Sequence, residues 1–464
     1  MAARGPSRRS SPSPKPASAS SAGASSAKPG WGSRLSFWLV ALVVLIPPLV
    51  LWPDAKEAFR LPKLVATNVL VLISLVGLAL AWRPAVGRLN VAAFWLRPEV
   101  LASVPLFLAG LVAGLVSSHP LYARDALLDG AVGLAAFLGW TLALRSAQLR
   151  RLLELGFAPA LVLSVLALLQ ALDLWEPLRF AGGQERTRLG VTALAGNPGD
   201  LAAFLLLPIL LAQDRLARLL DEGFHWRRAL WPGLTLLLAL AALAQTQTVT
   251  TLVALLVGLA IYWWRFLTRK RSLVWVAGGL AVLLVGALAV APLRQRLSEK
   301  ARDLARGDIN HLLTGRLDGW RAAGWMFERH PLLGVGPGSY QAEFGDARLA
   351  LVDQGVRFFR SQQTPVFANA HNEYLEVAAD TGLLGLAALG FGLWLLFRAL
   401  RGLSRKARER DAALAWAGAA VLAVLALTYF PFRVAITAYP ALLFLGWIFR
   451  SFHESESQPS EPRP

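Results

Sequence analysis

The sequence predicts an all-α polytopic membrane protein of about twelve transmembrane helices, with one long helical loop on a single face. Three observations carry that reading. Of its 464 residues 55% are hydrophobic and 16% charged, and the mean hydropathy is +0.49. The apolar residues fall in blocks of roughly 16 to 22, each long enough to cross about 30 Å of hydrocarbon. The basic residues lie between these blocks rather than on one folded surface. The net charge of +18 therefore reads as topology determinants and lipid or phosphate contacts, not as a nucleic-acid face. The chain has no cysteine, which excludes disulfides and thiolate metal sites.

The stretch 1–33 is basic and rich in Ser, Pro and Ala, a composition that cannot build a core. It is expected to be a disordered cytoplasmic tail. A signal peptide with its apolar region from Phe37 is the rival reading. The polar lead is long for that, and "IPPLVLWPDAKEAF" offers no clear small-x-small cleavage site. Spans one to nine are expected within 34–292, at 36–53, 64–82, 99–116, 126–144, 152–172, 199–213, 229–247, 249–265 and 272–292. The sixth is the shortest, and almost no loop parts the seventh from the eighth at "ALAQTQTVTTLVALLVG". Residues 293–374 form a long outer loop. Three more spans follow within 375–450, at 375–397, 412–429 and 434–450, and 451–464 is a second cytoplasmic tail.

Charge tests this order. With both termini inside, 28 of the 47 Lys and Arg fall on inside segments and 8 on the short outer loops. The remaining 11 lie in 293–374, and long translocated loops obey the positive-inside rule weakly. A loop of that length is usually functional.

Three polar clusters share its face. In "GGQERTRLGVTALAGNPGDLAAFLLL", Arg186 and Arg188 precede a turn into the sixth span. Arginine at an interface is costly unless paired, and its planar fork suits phosphate oxygens, although a lipid-headgroup role fits either residue equally. In "LLTGRLDGWRAAGWMFERHPLLGVGPGSY", helical spacing puts Arg316, Trp320 and Ala323 on one face, and Asp318, Arg321 and Trp325 on another. Such a helix suits an anionic, sugar-bearing substrate, with Trp320 as a stacking platform and Arg321 in support, or else Arg316 simply stands on a solvated helix face. The glycines of "GVGPGS" offer N–H groups to a phosphate or simply make a turn. In "FANAHNEYLEVAADTGLLGL", His371 stands where the chain re-enters the membrane, and an imidazole there can accept a proton from an attacking hydroxyl. Asn372 is placed to cap the re-entering helix. Glu373 and Glu376 stand beside it as supporting groups. No metal-ligand spacing, P-loop or nucleophile elbow occurs, so the chemistry reads as Arg and His without a metal or other cofactor.

In this order and on one face, the clusters resemble the O-antigen ligase / O-antigen polymerase family. "RLGVTALAGNPGDLAAFLLLPIL" is similar to its Arg-x-Gly … Asn-Pro segment. "GRLDGWRAAGWMFERHPLLGVGPGSYQAEF" is similar to its Gly-Arg … Trp … Pro-Leu-Leu-Gly-x-Gly-x-Gly loop, and "AHNEYLEVAADTGLLGL" to its His-Asn-x-Tyr-Leu … Gly-Leu-x-Gly re-entry. The resemblance spans about 186–392. It implies a GT-C-like architecture in a bacterial inner membrane, with both termini cytoplasmic and the active site periplasmic. It further implies metal-independent, inverting transfer of a glycan from undecaprenyl diphosphate to an acceptor hydroxyl, foremost O-antigen ligation to lipid A core. Carried over by motif, Arg188 or its neighbour Arg186 binds the diphosphate with Arg316, and His371 is the general base. Partners are then the lipid-linked donor, a glycolipid or other hydroxyl acceptor and membrane lipids, with no nucleic acid. The site that usually reads Ser-Arg before the loop-bearing part is here "TQTVTTLV", without an arginine.

Polymerisation on the carrier lipid, or transfer to a protein, is the alternative within that fold. A lipid-linked glycan transporter is the alternative outside it. Transporters place charged or broken helices near the midplane, whereas here the polar residues gather at one interface.

Overall fold

The computed structural model describes residues 31–55, 57–82, 91–176, 191–264, 266, 291–359, 367–407 and 409–457. Among these every regular element is helical. Each block read from the sequence, apart from the ninth, coincides with a helix; 272–290 lies outside the described residues. Seven of the helices are long and apolar enough to cross a membrane, and Arg34–Leu49 and Val249–Trp264 are shorter apolar helices. The chain is a membrane protein. Val65, Val69, Leu72, Val76 and Leu80 stay exposed along Arg60–Ala81, as a lipid-facing stripe does.

The sixth span departs from the reading. It is not the shortest block but the 25-residue helix Pro198–Glu222, buried without a break from Asp200 to Asp214. Charges at its two ends lowered its apparent hydropathy, and those charges are paired. Asp214, fully buried, accepts from Arg150, from Arg218 Nε at 2.8 Å and from the Tyr262 hydroxyl at 2.7 Å. Asp200, at the other end, is held by Arg60. The seventh and eighth spans are likewise two helices, Trp226–Gln245 and Val249–Trp264, parted where Gln247 takes φ 55°.

Helix ends sort into two polar layers. One gathers Arg150, Asp214, Arg218, Tyr262, Arg410 and Asp411. The other gathers the start of Arg60–Trp82, the start of Pro198–Glu222, the 427–434 turn and the segment between 291 and 372. That segment carries the helices Ala291–Ala305, Arg316–Arg329 and Tyr340–Asp353. It has its own small core of Ala322, Met326, Val335, Tyr340, Phe344 and Ala370.

The loop is bolted to the membrane part at a helix break. Glu373–Lys406 is interrupted at Gly382, φ 62° and ψ −155°. The N–H groups of Leu383 and Leu384 would ordinarily reach the carbonyls of Ala379 and Asp380. Instead they donate to the carbonyls of Pro331 (2.7 Å) and Leu332 (3.2 Å), while Ala379 and Asp380 accept from Val335 and Gly336, each at 2.9 Å. The loop thus replaces the hydrogen bonds that the break removes. A Cβ on Gly382 would meet the Leu332 carbonyl carbon at 2.4 Å, a backbone atom that cannot swing away. Gly382→Ala is expected to cost about 2 kcal/mol or more, read as a lowered thermal unfolding midpoint in detergent.

Candidate active site

His371 is fixed from below. The Asn372 side chain caps the helix that follows, accepting from Leu375 N–H at 3.1 Å, as the sequence suggested. One turn on, the buried Glu376 reaches back: Oε2 accepts from Ala370 N–H at 2.9 Å and Oε1 from Asn369 Nδ2 at 2.8 Å. Glu376 does not pair with His371; it holds the two residues before it. Arg433, from the turn before the last span, meets Glu373 at 3.2 Å, Glu376 at 3.1 Å and Asp380 at 3.2 Å. Those carboxylates lie three and four residues apart on one helical face, so one guanidinium fork reaches all of them.

So anchored, His371 takes φ 55°, a left-handed conformation uncommon outside glycine. Its ring lies edge-on to Phe367, with centroids 5.7 Å apart, and 4.9 Å from Phe430. Nδ1 is buried without a hydrogen-bond partner. Most buried polar atoms are satisfied, and strained or unsatisfied ones gather at functional sites.

Two guanidinium groups flank this ring. Arg316 opens its helix after Thr314 and Gly315, both at positive φ (57° and 82°). A Cβ on Gly315 would press the Phe359 ring at 2.8 Å, so the turn needs glycine. Arg316 Nη1 donates to the Leu313 carbonyl at 3.2 Å, and its Nε is buried without a partner. Arg60 comes from the other side, its guanidinium 5.6 Å from the Phe430 ring centroid. Asp200 orients it through Nε (3.1 Å) and Nη2 (3.2 Å), and the Tyr429 hydroxyl donates to the same carboxylate at 2.7 Å. Burial, then Arg316, then Arg60 push the His371 imidazole down to about 3. It is neutral at physiological pH, with a lone pair to offer. Burial, and then Arg296, also lower Arg316, which as a guanidinium keeps its charge.

Beside Arg60 lies a pocket of about 290 Å³, lined by Glu57, Phe59, Arg60, Ala195, Gly196 and Asn197. A separate apolar cavity of about 500 Å³ runs along Leu106, Phe107, Leu134, Leu393 and Phe449, with Glu373, Asp380 and Arg433 at its polar rim.

The structure thus brings together His371 and Arg316 of the residues read from sequence, with Asn372, Glu373 and Glu376 as their scaffold. Trp320 has its Nε1 buried and unpartnered, an indole with its donor held open. Arg321 is turned to the Arg357 carbonyl (3.4 Å) and Asp318 (3.9 Å), and no contact links it to His371. Arg186 and Arg188 lie outside the described residues. The "GVGPGS" amides are not open to a ligand: the N–H groups of Gly334, Val335, Gly336, Gly338 and Ser339 all go to acceptors of the protein. At "TQTVTTLV" the Thr246, Thr248 and Thr251 hydroxyls bond to nearby carbonyls.

Sequence reasoning missed Arg60, Asp200, Tyr429 and Arg433. Arg60 heads an apolar span, Asp200 closes the quoted "GNPGD", and Arg433 ends the aromatic "TYFPFR". Each is a polar residue at an apolar boundary, which is the available signal; that they converge is not written in any one segment.

Residues 234–390 match a family model described as O-antigen ligase. The matched stretch contains Arg316, His371 and the acidic face of the re-entering helix, but not Arg60, Asp200 or Arg433. No curated protein matches the chain.

Proposed function

From the O-antigen ligase domain that this membrane protein carries over residues 234–390, a glycan-transfer domain, we propose transfer of a glycan from undecaprenyl diphosphate to an acceptor hydroxyl at the periplasmic face of a bacterial inner membrane. Ligation to lipid A core is the foremost form of that reaction. The observation that carries the reading is a neutral imidazole under the electrostatic influence of an arginine, each holding a buried nitrogen without a partner.

In the reaction the acceptor oxygen attacks the anomeric carbon and its proton passes to the His371 imidazole. The bond from that carbon to the phosphate oxygen breaks, and the electron pair leaves with the diphosphate. Arg316 receives the departing charge, with Arg188 or Arg186 as a second cation on the strength of the resemblance. A single displacement of this kind inverts the anomeric configuration. Trp320 offers an aromatic face to the glycan, and Arg321 stays a peripheral cation. The apolar cavity rimmed by Glu373, Asp380 and Arg433 suits a polyprenyl or acyl chain, which supports a lipid-anchored substrate.

Arg316→Lys keeps the charge but loses the planar fork. It is expected to lower transfer about a hundredfold, as loss of one preorganised charge-stabilising group does, measured with a purified lipid-linked donor. A deletion strain separates the outcomes by surface glycan. Uncapped lipid A core with polymer accumulating on the carrier supports ligation. Core bearing single repeat units would show a polymerase, and loss from a protein alone would show a protein transferase.

A further inference from the structure

A base whose imidazole is suppressed by burial and, beyond that, by two neighbouring cations is a poor base in the empty site. The same cations are what an anion would engage. Arg60 is built for that: Asp200 takes its Nε and one side of Nη2, and among the described residues Nη1 has no hydrogen-bond partner. The Arg60 side chain stays partly exposed, at 41%, and borders the pocket at 195–197. Asp200 itself is 1% exposed and takes the Tyr429 hydroxyl, so the fork is aimed rather than free to rotate. The same Phe430 ring also meets His371, with centroids 4.9 Å apart, and Arg316, with its unpartnered Nε, acts on the imidazole as well.

We propose that Arg60, aimed by Asp200 and Tyr429, is a further phosphate-binding residue of this site, and that the donor's diphosphate, bound between Arg60 and Arg316, is what makes His371 a competent base.

The inference rests on the transfer reading above and adds a residue outside the matched domain. Its electrostatics follow from which charges face the ring. From the loop helix comes Arg316. From the head of Arg60–Trp82 comes Arg60, with Asp200 and Tyr429 behind it. On the ring's own segment Glu373 and Glu376 are turned to Arg433, which they share with Asp380. A diphosphate carries enough negative charge to offset both arginines, so the protonated imidazole ceases to be penalised by them. The base is then armed only when the leaving group is in place. In the empty site the acceptor hydroxyl meets a histidine unable to hold its proton.

The test is calorimetric titration of inorganic pyrophosphate into the purified full chain in lipid nanodiscs, at about pH 6, in buffers of differing ionisation enthalpy. Wild type is expected to take up more proton on binding than His371→Gln does. Arg60→Gln is expected to weaken binding about tenfold to a hundredfold, as loss of a charged hydrogen bond does, and to remove the extra proton uptake. Because Arg60→Gln strands the Asp200 carboxylate, Arg60→Gln/Asp200→Asn is titrated beside it and is expected to show the same loss. Farnesyl diphosphate is expected to bind more tightly than pyrophosphate, and equal affinity overturns the lipid-linked source. Unchanged pyrophosphate affinity in both variants, or equal proton uptake in wild type and His371→Gln, overturns the proposal. Glycan transfer measured in parallel separates the two readings. Arg60-dependent binding without transfer sinks the transfer reading alone; transfer with Arg60-independent binding sinks this inference alone.

Discussion

Replacing His371 by asparagine is expected to abolish glycan transfer, with a rate loss of about a hundredfold to ten-thousandfold, the range general-base catalysis supplies. Asparagine is the informative choice because it tolerates the left-handed backbone that His371 adopts, so the substitution removes the imidazole without forcing the turn. Nδ1 has no partner to lose, and the fold should be kept, read as an unchanged thermal midpoint. Restoration of transfer by added imidazole would assign the loss to the missing base. Full activity in the asparagine variant would remove His371 from the mechanism.

The second large effect is on stability. Arg433→Met is expected to cost about 3 kcal/mol, at the lower end for a broken buried ion pair because the arginine is partly exposed. Glu373, Glu376 and Asp380 then face one another without a counter-charge, and two of them are almost wholly buried. Carboxylates crowded in a dry site resist ionising together. Transfer should fall as well, because Glu376 holds the Asn369 side chain and the Ala370 N–H just before His371. Arg433→Lys keeps one charge but cannot span three carboxylates, so it should rescue stability in part. The measurement is thermal unfolding in detergent, beside transfer by the folded fraction. An unfolding midpoint equal to wild type in Arg433→Met would show that the cluster bears no such strain.

Particular residues show how far the sequence carried. Most spans were legible because hydrocarbon thickness sets a length and composition that local windows detect. Pro198–Glu222 reads short in sequence since Asp200, Asp214 and Arg218 look costly until their partners, as far as 229 residues away in the chain, are known. His371 and Arg316 were legible as polar residues at a boundary, and Asn372 as a cap from its type and place. Of the two readings of "GVGPGS", the turn is the one the structure has; glycine signals a special backbone without saying what the backbone meets. Here it meets the broken turn at Gly382.

By itself the sequence determined the class of the protein, its apolar blocks and the residues able to carry the chemistry, because those are properties of composition and short-range spacing. Only the tertiary structure decided which charges share a site. Arg60 and Asp200 are 140 residues apart in the chain, other partners are likewise separated by whole spans, and electrostatics acts through distance in space. That is why the imidazole's suppression by burial and by Arg316 and Arg60, and the carboxylates gathered on Arg433, became visible only once the helices were packed.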